Sequence, residues 1–167
     1  VITINRPHAL NAVTTALAAQ LIEILETISA RASVRVAILT SAGDEAFSVG
    51  GDLYERKSMT QEQWLRQRQV FDRVLFELRQ SRRPIFAAVH GMAYGGGCEM
   101  AISTDFIIAS DDAVFGQPEA MVGLSAGGGS GSLAGWRRRF RSFCEQRRVV
   151  TARSLAIVRL PGATRHR

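Results

Sequence analysis

The feature of this sequence that most constrains its fold is the alternation of short apolar runs with longer segments of helical periodicity. Apolar residues recur every three or four positions along residues 17–28 and 64–78, which predicts two amphipathic helices. Runs of strand-like composition accompany them at 1–4, 34–40, 85–89, 105–109 and 113–116. Strands that alternate with helices are typical of layered α/β proteins. We therefore predict an α/β fold in which ligands bind at the carboxyl ends of the strands.

Local signals mark the ends of both predicted helices. Thr14 or Thr15 is the expected N-cap of the first helix, and Thr60 with Gln63 forms a capping-box pattern before the second. Pro84 ends the second helix, since a proline interrupts the helical hydrogen bonds.

Composition restricts the class of protein. The chain has 167 residues, of which 46% are hydrophobic and 22% charged, and this is typical of one globular domain. No apolar run approaches the roughly 20 residues that span a bilayer, and the first residues do not form a signal peptide, so we expect a cytoplasmic protein. The strand-like start without Met predicts an incomplete first strand. Cys98 and Cys144 lack the spacing of a zinc site, and no metal is expected.

The net charge of +6 is concentrated at the end of the chain. Residues 1–134 contain 11 Lys and Arg against 14 Asp and Glu, whereas residues 135–167 contain 10 Arg, no Lys and one Glu. A basic arm that binds nucleic acid is one interpretation, and such binding would weaken strongly with salt. The segment also resembles translation in a wrong reading frame, because its Trp, Phe and Cys are scattered without periodicity. We favour the second interpretation: a core at 1–134, a non-native or disordered Arg-rich tail at 135–167, and no nucleic-acid partner.

Two glycine-rich segments follow predicted strands. The segment AFSVGGDL (46–53) ends in Gly-Gly-Asp, and HGMAYGGGCEMA (90–101) places three glycines before a plausible helix start. Glycine lets the backbone approach a ligand closely, and the N–H groups at a helix N-terminus favour negative charge. An ordinary turn, or close packing of a helix on a strand, would require the same glycines without any ligand.

Two glutamates accompany these segments. Glu99 lies in an apolar stretch, where burial would raise its affinity for a proton. Glu119 follows Pro118 after a predicted strand, a pair that also suits the first turn of a helix. Paired carboxylates can divide the roles of general base and general acid, and two converging amides can hold an oxyanion.

In this order, AFSVGGDL, AAVHGMAYGGGCEMAISTDFIIAS and AVFGQPEAMVGL resemble the crotonase (enoyl-CoA hydratase/isomerase) superfamily, and INRPHALNAV is similar to its N-terminal coenzyme A loop. The resemblance covers residues 1–134. It implies a spiral of ββα units, with the C-terminal part missing or replaced in this chain. It also implies a lyase of fatty acid metabolism that adds water across the 2,3 double bond of an acyl-CoA thioester. The assembly of the family is a homotrimer or hexamer, which loss of the C-terminal helices would disturb in this chain. No cofactor is expected because coenzyme A is part of the substrate.

The resemblance further assigns roles to single residues. The backbone N–H groups of Gly51 and Gly96 would form an oxyanion hole for the thioester oxygen. Glu99 would help activate the water that attacks Cβ, and Glu119 would supply the proton to Cα. The expected contacts with the coenzyme A part are His8, Ala9, Asp52, Leu53 and Tyr54.

Other functions stay open. The chain would be an inactive remnant if residues 135–167 replace helices that complete the pocket in relatives. Acyl-CoA isomerase activity is another possibility within the same superfamily. The segment GLSAG (123–127) matches the G-x-S-x-G pattern of acyl hydrolases, whose triad would be Ser125, Glu145 and His166. That reading is disfavoured because no predicted strand directly precedes the serine.

Overall fold

The structure, a computed structural model, describes residues 1–119 and 149–151. Its strands are β1 (Ile2–Ile4), β2 (Ala37–Ser41), β3 (Ala46–Ser48), β4 (Ile85–Val89), β5 (Met92–Tyr94), β6 (Phe106–Ala109), β7 (Val114–Gly116) and β8 (Val149–Thr151). Its helices are α1 (Thr15–Ala30), α2 (Leu53–Lys57), α3 (Gln61–Gln80) and α4 (Gly96–Ile102), with a short 3₁₀ turn at Pro7–Ala9. The predicted hydrolase residues Ser125, Glu145 and His166 lie outside the described residues.

All strand pairs between named strands are parallel and form two sheets. The larger sheet has the order β1-β2-β4-β6-β8, and the smaller has the order β3-β5-β7. Each of β2, β4 and β6 is followed by a short strand of the smaller sheet, and helices follow β3 and β5. The chain therefore repeats a ββα unit and moves one strand along both sheets at each repeat. This confirms the predicted α/β spiral.

Helices α1 and α3 pack on each other and on the larger sheet. The Thr14 hydroxyl accepts a hydrogen bond from the N–H of Leu17 at 3.2 Å, and Thr60 and Gln63 form the predicted capping box. Burial of a large aliphatic side chain contributes roughly 1.5–3 kcal/mol, so the apolar stripes of the helices hold the layers together. The fully or almost fully buried members of this core include Leu21, Leu25, Leu39, Val74, Leu75, Leu78, Ile85 and Ile107.

Several short elements differ from the sequence prediction. Strand β2 begins at Ala37, three residues later than expected, and β3, α2 and β5 were not predicted at all. Strand β8 lies within the Arg-rich segment, where it pairs with β6 in the register Ile108↔Val150. Three to five residues contain too little periodicity for a sequence pattern, and pairing with neighbours decides their conformation. None of the described helices has both the length and the apolar composition needed to cross a bilayer.

Candidate active site

Hydrogen bonds from the N-terminal loop hold the turn at Gly50 and Gly51, which follows β3. Asn11 is buried and has φ +55, and its side-chain amide donates to the carbonyl oxygens of Ala42 and Ala46 at 2.8 and 2.7 Å. The chain then runs beside the turn: the N–H of Val13 donates to Gly50 at 2.8 Å, and that of Asp52 donates back to Val13 at 3.0 Å. The backbone on both sides of Gly51 is therefore held by hydrogen bonds.

The two glycine segments meet at van der Waals distance. Gly50 has φ +87, and a Cβ built on it would lie only 2.7 Å from the amide nitrogen of Gly96. A Cβ on Gly96 would lie 3.5 Å from the Cα of Gly50 and 3.8 Å from the amide nitrogen of Gly51. The turn after β3 and the start of α4 are thus neighbours across the smaller sheet.

The amides of Gly51 and Gly96 are available to a ligand. Within residues 1–119 and 149–151, neither N–H donates a hydrogen bond to another group of the protein. The amide of Gly96 belongs to the first turn of α4, where intrahelical acceptors are lacking. Two such donors side by side can stabilise negative charge on one oxygen atom.

The two glutamates reach this place from different elements. Glu99 lies in the first turn of α4 with 8% of its surface exposed. Glu119 follows β7, and a Cβ on Gly95 would lie 2.6 Å from its Oε1. With its side-chain nitrogen turned toward this carboxylate, Gln117 donates to the two oxygens of Glu119 at 3.1 and 2.8 Å. Gln117 thereby orients the second carboxylate.

One cavity of about 470 Å³ brings these groups together. Gly51, Gly96 and both glutamates line it, together with apolar side chains from the N-terminal loop, α2, α3 and α4. The apolar members include Val13, Leu53, Trp64, Phe71, Val74, Leu75 and Met100. The cavity can therefore hold an apolar chain with a polar, reactive end, which is the usual character of a small-molecule site.

A charged side chain that the sequence motifs did not suggest also lines the cavity. Arg56, in α2, lies against Gly51: a Cβ on that glycine would be 2.6 Å from the Arg56 Cζ. The Arg56 Nε donates to Gln67 at 2.8 Å, and its guanidinium lies 5.4 Å from the ring centre of Phe71. Burial lowers the pKa of Arg56, while the nearby carboxylates of Glu55 and Glu119 raise it.

The five residues expected to contact coenzyme A occupy varied positions. Leu53 lines the cavity mouth and is 69% exposed, and Tyr54 is 91% exposed beside it. His8 is exposed and Ala9 partly buried in the 3₁₀ turn. Asp52 is buried and caps α2 by accepting hydrogen bonds from two backbone amides, at 2.9 and 3.1 Å.

Asp52 also forms an ion pair with Arg6 at 2.9 Å. The hydrogen bond from Arg6 is the main reason that the pKa of Asp52 lies below its ordinary value, and the amide of Glu55 lowers it further. The Asp52 carboxylate is thus engaged in holding the turn after Gly51 to the N-terminal loop.

The sequence analysis did not identify Arg56 or Gln67, and only Gln67 left a recognisable signal in the sequence. Gln67 is a polar residue within the apolar stripe of α3, and it is 2% exposed. A buried amide at a core position needs polar partners, so its presence indicated a polar group facing that point of the helix. Arg56 itself gave no signal, because arginine in a short exposed-looking segment is common. Among the described residues, no group of three or more His, Cys, Asp or Glu is placed to hold a metal ion.

Comparisons with known proteins identify the family of this chain. The family description "Enoyl-CoA hydratase/isomerase" matches residues 1–138. The chain is 40% identical over 129 residues to a short-chain-enoyl-CoA hydratase of Clostridium acetobutylicum, covering 77% of this chain and 49% of the relative. It is 33% identical over 129 residues to a crotonyl-CoA hydratase of Syntrophomonas wolfei, covering 77% of this chain and 50% of the relative.

A solved structure gives the same result for the fold. The crystal structure of an enoyl-CoA hydratase from Bacillus anthracis superposes with a TM-score of 0.79 at 29% identity, covering 93% of this chain and 67% of that one. The ββα spiral thus defines a protein of the crotonase fold. The chain belongs to the enoyl-CoA hydratase/isomerase family. It spans about half the length of the curated relatives that it matches.

Proposed function

We propose that this chain carries the active site of an enoyl-CoA hydratase, which adds water across the 2,3 double bond of an acyl-CoA thioester. One observation carries the proposal: a single cavity is lined by two unpaired backbone amides and two carboxylates. The named hydratases among its relatives support the same reaction. Coenzyme A enters as part of the substrate, and no further cofactor is required by the chemistry.

The amides of Gly51 and Gly96 would stabilise the intermediate. Attack of water at Cβ moves electrons through the conjugated system onto the thioester oxygen, which becomes an enolate. Two N–H donors that point at this oxygen bind the enolate more tightly than the neutral carbonyl. Loss of one such donor typically costs about 3 kcal/mol of transition-state stabilisation.

The two glutamates would act as general base and general acid. Glu99, as a carboxylate, would take a proton from the attacking water while the water oxygen bonds to Cβ. Glu119, as a carboxylic acid, would give a proton to Cα when the enolate collapses to the thioester. One water is consumed and both of its hydrogens are accounted for once the two carboxyl groups exchange a proton with solvent.

The coenzyme A part would extend from the cavity mouth. Leu53 and Tyr54 are exposed there, and the 3₁₀ turn with His8 and Ala9 precedes the loop that holds Gly50. We propose these four as contacts of the pantetheine or nucleotide portion. Asp52 would act indirectly, by fixing the turn between the Gly51 amide and α2.

Hydration of crotonyl-CoA by the purified chain of 167 residues tests the proposal. Hydration removes the conjugated double bond, so the reaction can be followed by the loss of thioester absorbance. We expect Glu99→Gln and Glu119→Gln each to lower kcat by at least about 100-fold, since general acid–base groups contribute roughly 10²–10⁴-fold.

Glu62→Gln is the matched control. Glu62 is exposed on α3 and, among the described residues, forms an ion pair with Arg66 of the same helix, so its loss should leave the rate unchanged. A folded wild-type protein that hydrates crotonyl-CoA no faster than buffer contradicts the proposal and favours an inactive member of the family. Full activity in both glutamine variants would contradict the assigned roles.

A further inference from the structure

Arg56 is a charged group of the cavity that the proposed reaction does not use. Its position is fixed by three contacts: the hydrogen bond of its Nε to Gln67, the ring of Phe71 below the guanidinium, and Gly51 beside it. Gln67 is itself held, because its amide donates to the Thr15 hydroxyl and to Glu55, each at 2.8 Å. These contacts hold the guanidinium of Arg56 beside Gly51, in the wall of the cavity.

Within the described part of the chain, the guanidinium has no ion-pair partner. Among the described residues, no carboxylate oxygen lies within the 4.0 Å of an ion pair with Arg56. The other arginine of the cavity, Arg68, differs because its Nε lies 3.8 Å from Asp72. Glu55 and Glu119 lie near enough to raise the pKa of Arg56, but neither forms an ion pair with it, and a partly buried cation is costly unless an anion binds it directly. The geometry therefore calls for an anion from the ligand.

The position of Arg56 limits which part of the ligand can supply that anion. Arg56 contacts Gly51, where the thioester group would bind, and the phosphates of coenzyme A would lie a full pantetheine arm away. An anion on the acyl group is within reach, because Phe71 and the apolar wall of α3 adjoin Arg56 in the same cavity.

We propose that the preferred substrate is an enoyl thioester whose acyl chain carries a carboxylate, and that Arg56 binds this carboxylate. This inference rests on the proposed function and specifies its substrate class. A planar guanidinium binds a carboxylate through two parallel hydrogen bonds, which Lys cannot reproduce. Arg56 also offsets the repulsion that such a substrate meets from the Glu99 carboxylate.

The proposal is tested by comparing kcat/KM for two enoyl thioesters of similar acyl length. Glutaconyl-CoA ends in a carboxylate, and 2-hexenoyl-CoA ends in a methyl group. We expect the wild-type chain to have a higher kcat/KM for glutaconyl-CoA. In Arg56→Met the ratio of the two kcat/KM values should fall roughly ten- to hundredfold, the effect of one charge-assisted pair, and Arg56→Lys should recover only part of it.

The matched control is Arg66→Met, which removes an exposed arginine of α3 and should leave the ratio unchanged. A circular dichroism spectrum and a urea unfolding midpoint like those of the wild-type chain would confirm that Arg56→Met is folded. An equal loss for both thioesters would overturn the proposal, since Arg56 would then act on the thioester or on folding. A wild-type chain without preference for glutaconyl-CoA would overturn it as well.

Binding of saturated thioesters separates this proposal from the proposed reaction. Glutaryl-CoA and hexanoyl-CoA cannot be hydrated, and calorimetry measures their affinities directly. Tighter binding of glutaryl-CoA that disappears in Arg56→Met supports the carboxylate site even if no thioester is hydrated, in which case only the proposed reaction fails. Hydration without any preference in either experiment leaves the reaction standing and rejects the carboxylate site.

Discussion

Three adjacent glycines have different tasks at the scale of single residues. Gly95 has φ +51, a conformation that side chains disfavour, and it precedes α4 as its N-cap. Gly97 lets α4 approach β3, because a Cβ there would overlap the carbonyl oxygen of Ser48 and lie 2.7 Å from its carbonyl carbon. Gly96 alone has ordinary contact distances around its missing side chain. The sequence offered close packing and an exposed amide as alternative reasons for these glycines. In the structure, Gly97 allows the close packing, and the neighbouring Gly96 has the unpaired amide.

This division predicts opposite results for two alanine substitutions. Gly97→Ala forces α4 away from β3 and should destabilise the protein by about 3 kcal/mol, as overpacking does. Gly96→Ala should change stability by less than about 0.5 kcal/mol, because its Cβ meets Gly50 only at 3.5 Å. Urea unfolding of both variants checks this, and similar midpoints for the two would contradict it.

Asp52 predicts a pH-dependent contribution to stability. Its pKa in the folded state is lower than 3.8, mainly through the hydrogen bond from Arg6, so the ionised form stabilises the folded chain. This stabilisation is complete above pH 3.8 and is lost as the pH falls through the lower, folded-state pKa. Asp52→Asn should cost about 1–3 kcal/mol at pH 7 and less at pH 3.

Unfolding of wild type and Asp52→Asn at the two pH values measures the difference. Asp44→Asn, a change in the exposed turn after β2, serves as the control. An equal cost of Asp52→Asn at pH 7 and pH 3 would show that ionisation of Asp52 contributes nothing.

At the scale of elements, α2 depends on a side chain of α3. The helix has only five residues, too few to be stable alone, and Gln67 bonds to both Glu55 and Arg56 within it. Gln67→Met should therefore destabilise the protein by about 1–3 kcal/mol and speed hydrogen exchange in residues 53–57. Gln69→Met, at an exposed position of the same helix, should do neither. Unchanged exchange in Gln67→Met would contradict this dependence.

The difference between long helices and short elements that depend on distant partners explains which parts of the fold the sequence could predict. Helices α1 and α3 were predicted with their caps because 16 and 20 residues carry clear periodicity. Strand β3 and helix α2 were missed because their conformation follows from partners far along the chain. The motifs led to four residues that line one cavity, and their roles stay predictions. Arg56 could not be found, since its burial depends on Gln67 and Phe71 of another helix.

At the scale of the whole molecule, β8 covers the edge of β6 with residues of the Arg-rich segment. We propose that the Arg-rich segment stabilises the core through this strand pairing and not through its charge. Deletion of residues 135–167 removes β8 and exposes the edge of β6, which should lower the unfolding midpoint and promote self-association. Deletion of 152–167 keeps β8 and should preserve both properties. Light scattering and urea unfolding compare the two, and identical behaviour would contradict a role for β8.

Glu99 and Glu119 are held in place by different structural elements. Glu99 belongs to a helix locked against β3 by Gly97, whereas Glu119 follows the last strand of the smaller sheet and is steadied by Gln117. Because Glu119 and Gly96 belong to different elements, a substitution at position 119 leaves the backbone that carries the Gly51 and Gly96 amides in place. Under the proposed roles, exchange of this one proton donor would allow a new reaction on a scaffold that still binds an enolate.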